Sequence, residues 1–334
     1  MTKTKTRITI ADVAQKADVS MMTVSRVMNN KDGIGEETRQ HVLAVMNELG
    51  YRPNRIARSL ASDKTLKIGV IVPSISSAYF SAILESAEHV FWQNNYHMLL
   101  CNTGNNDRHE KDVLEFFEED CVDGVLIFGS HLDRGQLSAL LDDQRAAVVV
   151  NTEVDPEVAG QIIFDERTGI AMAVEHLLKQ GRSHLAFVGP PRRTYASRQR
   201  LASFIDVLSA ADLFNPDSIV NSKDEVIDQV VKHLLHDRPQ IDGIVCFNDT
   251  VAVRVLRACA DLGRRVPEDV AVIGYDDIDI ARMVTPRLTT LRLTLDKDEQ
   301  GALAAQMLLD RIEGQVDQEP ILLNHELVIR ESAP

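Results

Sequence analysis

The pattern of apolar and polar positions changes character near residue 66. Before it, apolar residues recur with the 3.6-residue period of short helices; after it, short apolar runs alternate with helical segments. In the stretch from Val19 to Asn29, Val24, Val27 and Met28 share one sector at 100° per residue, while Met21, Met22, Ser25, Arg26 and Asn29 share the opposite one. Ser20 precedes this helix as its predicted N-cap. Upstream, Thr9-Ile10-Ala11-Asp12 matches a capping box and opens a helix through Ala17, with Val13, Ala14 and Ala17 as a small apolar face. Asp18 and Val19 make the turn between the two. A third helix is predicted over residues 36–49, with Val42, Val45, Met46 and Leu49 as its buried stripe and Gly50 as its stop. Helix, tight turn, helix with a polar outer face is the helix-turn-helix arrangement, although a surface helix of a small bundle has the same two faces. Pro53 breaks the third helix, and the segment beyond it, with Arg55 and Arg58, reads as a linker of partial helical propensity.

From residue 66 the apolar runs are 66–72, 122–128, 147–150, 185–188, 241–247 and 270–275. Helical patterns lie between and after them at 79–93, 110–117, 168–179, 200–210, 226–235, 251–262 and 298–312. This alternation predicts an α/β body with parallel sheets covered on both faces. Asp123-Gly124-Val125-Leu126-Ile127-Phe128 is echoed about 120 residues later by Asp242-Gly243-Ile244-Val245-Cys246-Phe247. Two similar halves with a cleft between them would place a ligand at the inner strand ends.

Charge sharpens this division. The 334 residues carry a net −14, which argues against nucleic acid, yet residues 1–64 carry a net +4 and the remainder −18. A basic head on an acidic body fits a DNA-binding head whose body repels phosphate. Cys101, Cys121, Cys246 and Cys259 form no C-x-x-C pair and read as reduced core residues. No apolar leader and no apolar run of ~18 residues is present, which predicts a cytoplasmic protein without a membrane partner.

The chain carries no enzyme signature. It lacks a G-x-G-x-x-G after a strand, a P-loop, a G-x-S-x-G and an H-E-x-x-H. Asp276-Asp277-x-Asp279 could be read as a metal cluster, but without a partner motif it reads better as a hydrogen-bonding loop after a strand. No cofactor, metal or catalytic residue is expected.

Several motifs in order resemble the lactose-repressor (LacI/GalR) family of bacterial transcription regulators. They are Ile10-Ala11-Asp12-Val13-Ala14, Thr23-Val24-Ser25-Arg26-Val27, Leu49-Gly50-Tyr51-Arg52-Pro53-Asn54 and Ala57-Arg58-Ser59-Leu60. In the body, Gly181 to Pro190, Val266 to Asp277, and Pro286-x-Leu288-Thr289-Thr290 resemble the same family, the last as the strand crossing back to the first half. The resemblance implies a helix-turn-helix domain over 1–53, a hinge helix and linker over 54–65, and an effector-binding and dimerisation domain over 66–334. That body would have a type I periplasmic-binding-protein-like fold with three crossovers. One subdomain would span 66–163 plus 291–323, the other 164–290 plus 324–334.

Roles follow by position. Met21, Met22 and Arg26 occupy the main base-reading positions, and Ser25 and Asn29 those touching phosphate or nearby bases. Thr9, Ser20, Thr23, Asn54, Arg55 and Ala57 complete the implied DNA-contacting set, with Leu60 as the minor-groove wedge. Met cannot make a bidentate pair with a base but can pack on a thymine methyl, so the operator should differ from that of the lactose repressor. Gly35 stands where that protein has a capping Ser. In the cleft the resemblance implies Tyr79, Phe80, Phe164, Arg200, Asn248 and Asp276 as effector residues. No aromatic residue occurs in 221–225, where relatives stack a ring on the ligand, which disfavours a purine. Arg192, Arg193, Arg198 and Arg200 crowd one loop, and Arg193 and Arg198 in particular suggest a sugar acid or sugar phosphate as effector, unless these arginines are solvated loop residues.

The expected protein is therefore a homodimeric, effector-controlled regulator, most simply a repressor, of a near-palindromic double-stranded DNA operator. No heptad tail for tetramers follows the last strand. The competing readings are a cytosolic sugar-binding protein or a sugar-metabolising enzyme, neither with a DNA-binding output.

Overall fold

The computed structural model describes residues 8–28, 33–51, 64–104, 106–120, 122–191, 194–222, 226–315 and 319–334. The chain divides into two compact units at Thr65/Leu66. Most of the expected hinge segment, with Asn54, Arg55, Ala57 and Leu60, lies outside the described residues, as do Asn29, Arg192 and Arg193.

Among the described residues, the first unit has three helices, α1 (Ile10–Lys16), α2 (Met21–Met28) and α3 (Glu36–Leu49). The Asp12 amide donates to Thr9 Oγ1 and the Thr9 amide to Asp12 Oδ2, closing the expected capping box. Seven small side chains form the core: Val13, Ala14, Ala17, Val24, Val27, Val42 and Val45. Met46 and Leu49, expected in the buried stripe of α3, are only partly buried against it. Gly35 caps α3 without a side-chain bond, and Gly50 ends it at φ 62° in the left-handed region. Lys16 and Glu48 pair at 2.6 Å across α1 and α3.

The second unit contains two six-stranded sheets. Its first half runs β1 (Lys67–Val72), α4 (Ala78–Gln93), β2 (His97–Asn102), α5 (Asp107–Glu119), β3 (Gly124–Phe128), α6 (Arg134–Asp142), β4 (Ala147–Val150) and β5 (Gly160–Phe164). Its second half runs α7 (Glu166–Lys179), β6 (Leu185–Gly189), α8 (Tyr195–Ala210), β7 (Ile219–Asn221), α9 (Ile227–Asp237), β8 (Gly243–Cys246), α10 (Asp249–Asp261), β9 (Ala271–Tyr275), α11 (Ile280–Met283) and β10 (Thr289–Leu293). The chain then returns through α12 (Lys297–Ile312) and β11 (Ile321–Leu323) before β12 (His325–Val328). Strand order is β2-β1-β3-β4-β5-β11 in one sheet and β7-β6-β8-β9-β10-β12 in the other, so the two halves share a topology. All pairs are parallel except β10–β12. Apolar layers cover both faces of each sheet, as two-sided burial of parallel strands requires. Helix α12 docks on α4 through Gly301, where a Cβ would collide with the Ile83 carbonyl.

The internal echo has a shared purpose. The Leu66 amide donates to Asp123 Oδ2, and the amides of Ser183 and His184 donate to Asp242. Each aspartate fixes the entry of the first strand of its own half. Alternation did not reveal α6, β2 or β5, because their apolar runs are short or broken by polar residues.

Three crossovers join the halves, at Asp165, at residues 294–296 and at Asn324. They lie side by side: the Asp165 amide donates to Leu323 O and the Thr294 amide to Asn324 O, both at 2.9 Å. The strand expected to cross back to the first half at residue 291 does not. Thr289–Leu293 stays in the second sheet, parallel to β9 and antiparallel to β12, and the crossing falls after it. Thr290 anchors it there by donating to Asp249 Oδ1 at 2.5 Å.

Candidate DNA-reading helix and effector cleft

Helix α2 has the two predicted faces. Val24 and Val27 are buried, while Met21 and Met22 are 55% and 72% exposed and Arg26 is exposed. The Thr23 amide donates to Ser20 Oγ at 3.0 Å, so Ser20 is the N-cap and holds the first turn. Thr23 and Ser25 are half-buried at its flank. Two exposed methionines beside an arginine offer an apolar contact and a cationic fork on one short helix, the chemistry of a groove reader.

The body encloses a cavity of about 290 Å³ between its halves. Tyr79, Phe164, Lys297 and Gln300 wall it from the first half; Tyr275, Asp276, Arg292 and Glu326 wall it from the second. Tyr79 donates to Gln300 Oε1 at 2.8 Å, which fixes the rim. Of the expected effector residues, Tyr79, Phe164 and Asp276 therefore line the cavity. Phe80 lies behind Tyr79, packed against Phe128 in the core of the first sheet. Asn248 caps α10 by accepting from the Val251 amide at 2.9 Å. Arg198 is exposed and is not on the cavity wall.

Adjacent aspartates on this wall are set up differently. Asp276, at φ 99°, closes strand β9 and faces the cavity. Its carboxyl takes no hydrogen bond or ion pair from any described residue; burial, and then the Glu166 charge, push it up to about 7. Asp277 is buried and accepts from Arg330, Arg282 and Arg292, the first at 2.5 Å and the others at 3.2 and 3.4 Å. Burial raises its pKa, but Arg330 and Arg282 outweigh that and hold it below the ordinary value. Arg292 is shared with Glu326 at 2.6 Å, and Lys297 donates to the Asp277 carbonyl at 2.9 Å. The cations on the wall are thus already engaged. Behind Asp276, Asp249 is pushed up to about 8 by burial and by Asp276 itself; Gly274 leaves room for it, since a Cβ there would strike its carboxyl.

Arg200 is placed where its number alone did not suggest. It is 5% exposed and not on the cavity wall. Its Nε and Nη2 donate to the two oxygens of Glu166 at 2.6 and 3.0 Å, and its Nη1 to Phe247 O at 2.6 Å. Its guanidinium stacks 3.4 Å from the Tyr275 ring centroid. Tyr275 donates to Glu166 Oε2 at 2.5 Å and also bonds His325 Nε2, whose Nδ1 lies 3.1 Å from Asp165 O. Asn151, at the end of β4, donates to Glu166 Oε1 at 2.7 Å. Glu166, Asn151, Tyr275, His325 and Gln300 were absent from the expected site. Glu166 in the sequence is indistinguishable from an ordinary first-turn helix acid; its partners are 15 to 109 residues away.

One unit with three described helices and an exposed Met21-Met22-Arg26 face, and a second, two-lobed unit with a polar cleft, fit a ligand-responsive DNA-binding regulator. Sequence comparison makes the class specific. The pattern for bacterial regulatory proteins of the lacI family matches residues 9–54, and that for the periplasmic binding protein-like domain matches residues 174–333. The chain is 33% identical to the ribose operon repressor of Halalkalibacterium halodurans over 97% of its own length and 96% of that protein's. It is 34% identical to the HTH-type transcriptional repressor PurR of Salmonella newport over 91% of its length and 90% of that protein's. The lac repressor dimer bound to operator and the anti-inducer ONPF superposes with a TM-score of 0.85 at 27% identity, covering 98% of this chain and 99% of that one. The transcriptional regulator CelR–cellobiose complex superposes at 0.71 with 26% identity, covering 98% and 100%. The chain belongs to the lacI family of bacterial regulatory proteins. Its named relatives are regulators, and among the described residues no helix is long and apolar enough to cross a membrane.

Proposed function

We propose that the protein is a cytoplasmic, homodimeric repressor that reads a near-palindromic operator through Met21, Met22, Ser25 and Arg26, and whose DNA affinity is set by a neutral, polyhydroxylated small molecule in the cleft. One observation carries the choice of ligand: Asp276 presents a carboxyl without a hydrogen bond from any described residue to the cavity, while Arg282 and Arg292 on the wall are paired with Asp277 and Glu326, and Lys297, anchored on the Asp277 carbonyl, faces a wall that also carries Asp276, Asp296 and Glu299. A site with a free acceptor and, among the described residues, acids in excess of cations on its wall suits hydroxyl donors and resists carboxylate or phosphate. The names of a ribose operon repressor, of a cellobiose complex and of a lacI-type regulator complexed with D-xylulofuranose support a sugar. The neutral ligand is preferred over the acidic effector that the arginine-rich loop suggested because, of that loop's arginines within the described residues, Arg198 is exposed and off the cavity wall and Arg200 is paired with Glu166; Arg192 and Arg193 lie outside the described residues. The lac repressor dimer on its operator supports a dimeric DNA complex. Effector binding would close the halves on each other and alter operator affinity, a coupling that must be reciprocal.

Thermal unfolding in the presence of neutral pentoses, hexoses and disaccharides, their acids and phosphates, and purines tests this. A neutral sugar at 100 times its Kd should stabilise the body by about 2.7 kcal/mol, and Asp276→Ala should abolish the shift. Stabilisation by a purine or phosphate alone would overturn the sugar reading. Equal affinity for selected and random DNA would overturn the operator reading.

A further inference from the structure

Glu166 is a buried carboxylate at the first position of α7, one residue past a crossover. Four donors converge on its two oxygens: Nε and Nη2 of Arg200, Nδ2 of Asn151 and the hydroxyl of Tyr275. Asn151 comes from the first half of the body, and Arg200 and Tyr275 from the second. A carboxylate with four good donors is fully satisfied, and its charge offsets that of Arg200, whose guanidinium stacks on a wall residue of the cavity. That guanidinium stacks 3.4 Å from the ring centroid of Tyr275, which itself lines the ligand space. Without Glu166, the Arg200 guanidinium would lose its ion-pair partner and keep only the Phe247 carbonyl and the field of Asp276, leaving a stronger positive potential close to the position that a ligand occupies.

We infer that Glu166 is a specificity-determining residue: by engaging Arg200 from inside the protein, it makes the cleft accept neutral polyhydroxylated ligands and reject their anionic counterparts. This rests on the sugar-binding reading above. The residue does not touch the ligand; it acts through Arg200 and Tyr275. Its effect on specificity is electrostatic, so it is felt as a ratio between charged and uncharged forms of one ligand. A packing role alone would weaken both forms equally.

The test uses the full-length protein and matched ligands: a neutral aldose, its aldonate and its terminal phosphate. The wild type should bind the neutral member of each pair in preference to the acid. Glu166→Gln keeps the volume and removes the charge, and should shift the acid-to-neutral affinity ratio by at least about tenfold toward the acid, by analogy with loss of one charge partner. Adding Arg200→Gln should remove that shift. A ratio unchanged in Glu166→Gln, or a wild type that prefers the acid of any pair, would overturn the inference. Inorganic phosphate supplies a readout that needs no identified effector. It should give Glu166→Gln a saturable thermal stabilisation absent from the wild type and from the double variant; no such gain, or an Arg200-dependent gain already in the wild type, would overturn it. If no sugar binds the wild type, the sugar reading fails while the phosphate arm still decides the role of Glu166. If Glu166→Gln does not fold, the wild-type pair comparison and its response to phosphate decide it.

Discussion

Helix α2 and the cleft are the two candidate sites, and they are built by opposite rules. On α2 the working side chains stand in solvent, and seven small apolar residues beneath them set only their direction. In the cleft, the working surface is what remains after internal pairing. Asp276 and Asp277 are neighbours in the chain, yet one is left open to the cavity and the other is held by three arginines. Arg26 and Arg200 make the same contrast: one guanidinium is exposed on a helix, while the other is enclosed by Glu166, Phe247 and Tyr275. A residue's type decides its chemistry on an exposed helix; in a closed cleft its partners decide.

The largest effect expected from this contrast concerns stability. Glu166→Ala leaves Arg200 buried without its counter-ion and should destabilise the body by about 3–5 kcal/mol. Lys16→Ala breaks a pair that is 41% and 64% exposed and should cost at most about 1 kcal/mol. Denaturant unfolding of each variant measures both, and equal losses would erase the distinction between the two regions. Next in size, Arg26→Ala should lose about 1–3 kcal/mol of operator binding and relax preference at one base pair. Competition binding against operators varied at each position reads this out, and a uniform loss across all positions would make Arg26 a phosphate contact instead. The smallest effect is on pH. Asp276 is raised to about 7 in the folded protein, and a sugar hydroxyl donates to its ionised form. Ligand affinity should therefore be full above that value and fall as pH drops through it, by about tenfold between pH 8 and 6. A flat profile over that range would remove Asp276 as the acceptor.

Much of the architecture is legible in local pattern. The faces of α2, the capping box at Thr9, the stop at Gly50 and the alternation of apolar runs with helices each follow from spacing within one turn or one strand. The paired topology of the halves is foreshadowed by the echo of Asp123 in Asp242, because each half solves the same strand-entry problem with the same side chain. Where the pattern misled, the cause was long-range. Residues 289–293 begin with two threonines, which suit either sheet, and the bond from Thr290 to Asp249, 41 residues away, assigns the strand to the second.

The amino-acid sequence by itself determined the helix-turn-helix head, the outward set Met21, Met22 and Arg26, the α/β body and its membership in the lacI family. These depend on periodicity, capping and ordered motifs, which are local. Only the tertiary structure decided which charges survive to meet a ligand. That outcome depends on Asn151, Glu166, Arg200, Tyr275 and His325 converging from five separate elements or their ends. In the interior an unpartnered charge is costly and a paired one is nearly silent, so the electrostatics of the cleft belong to contacts that no stretch of sequence contains.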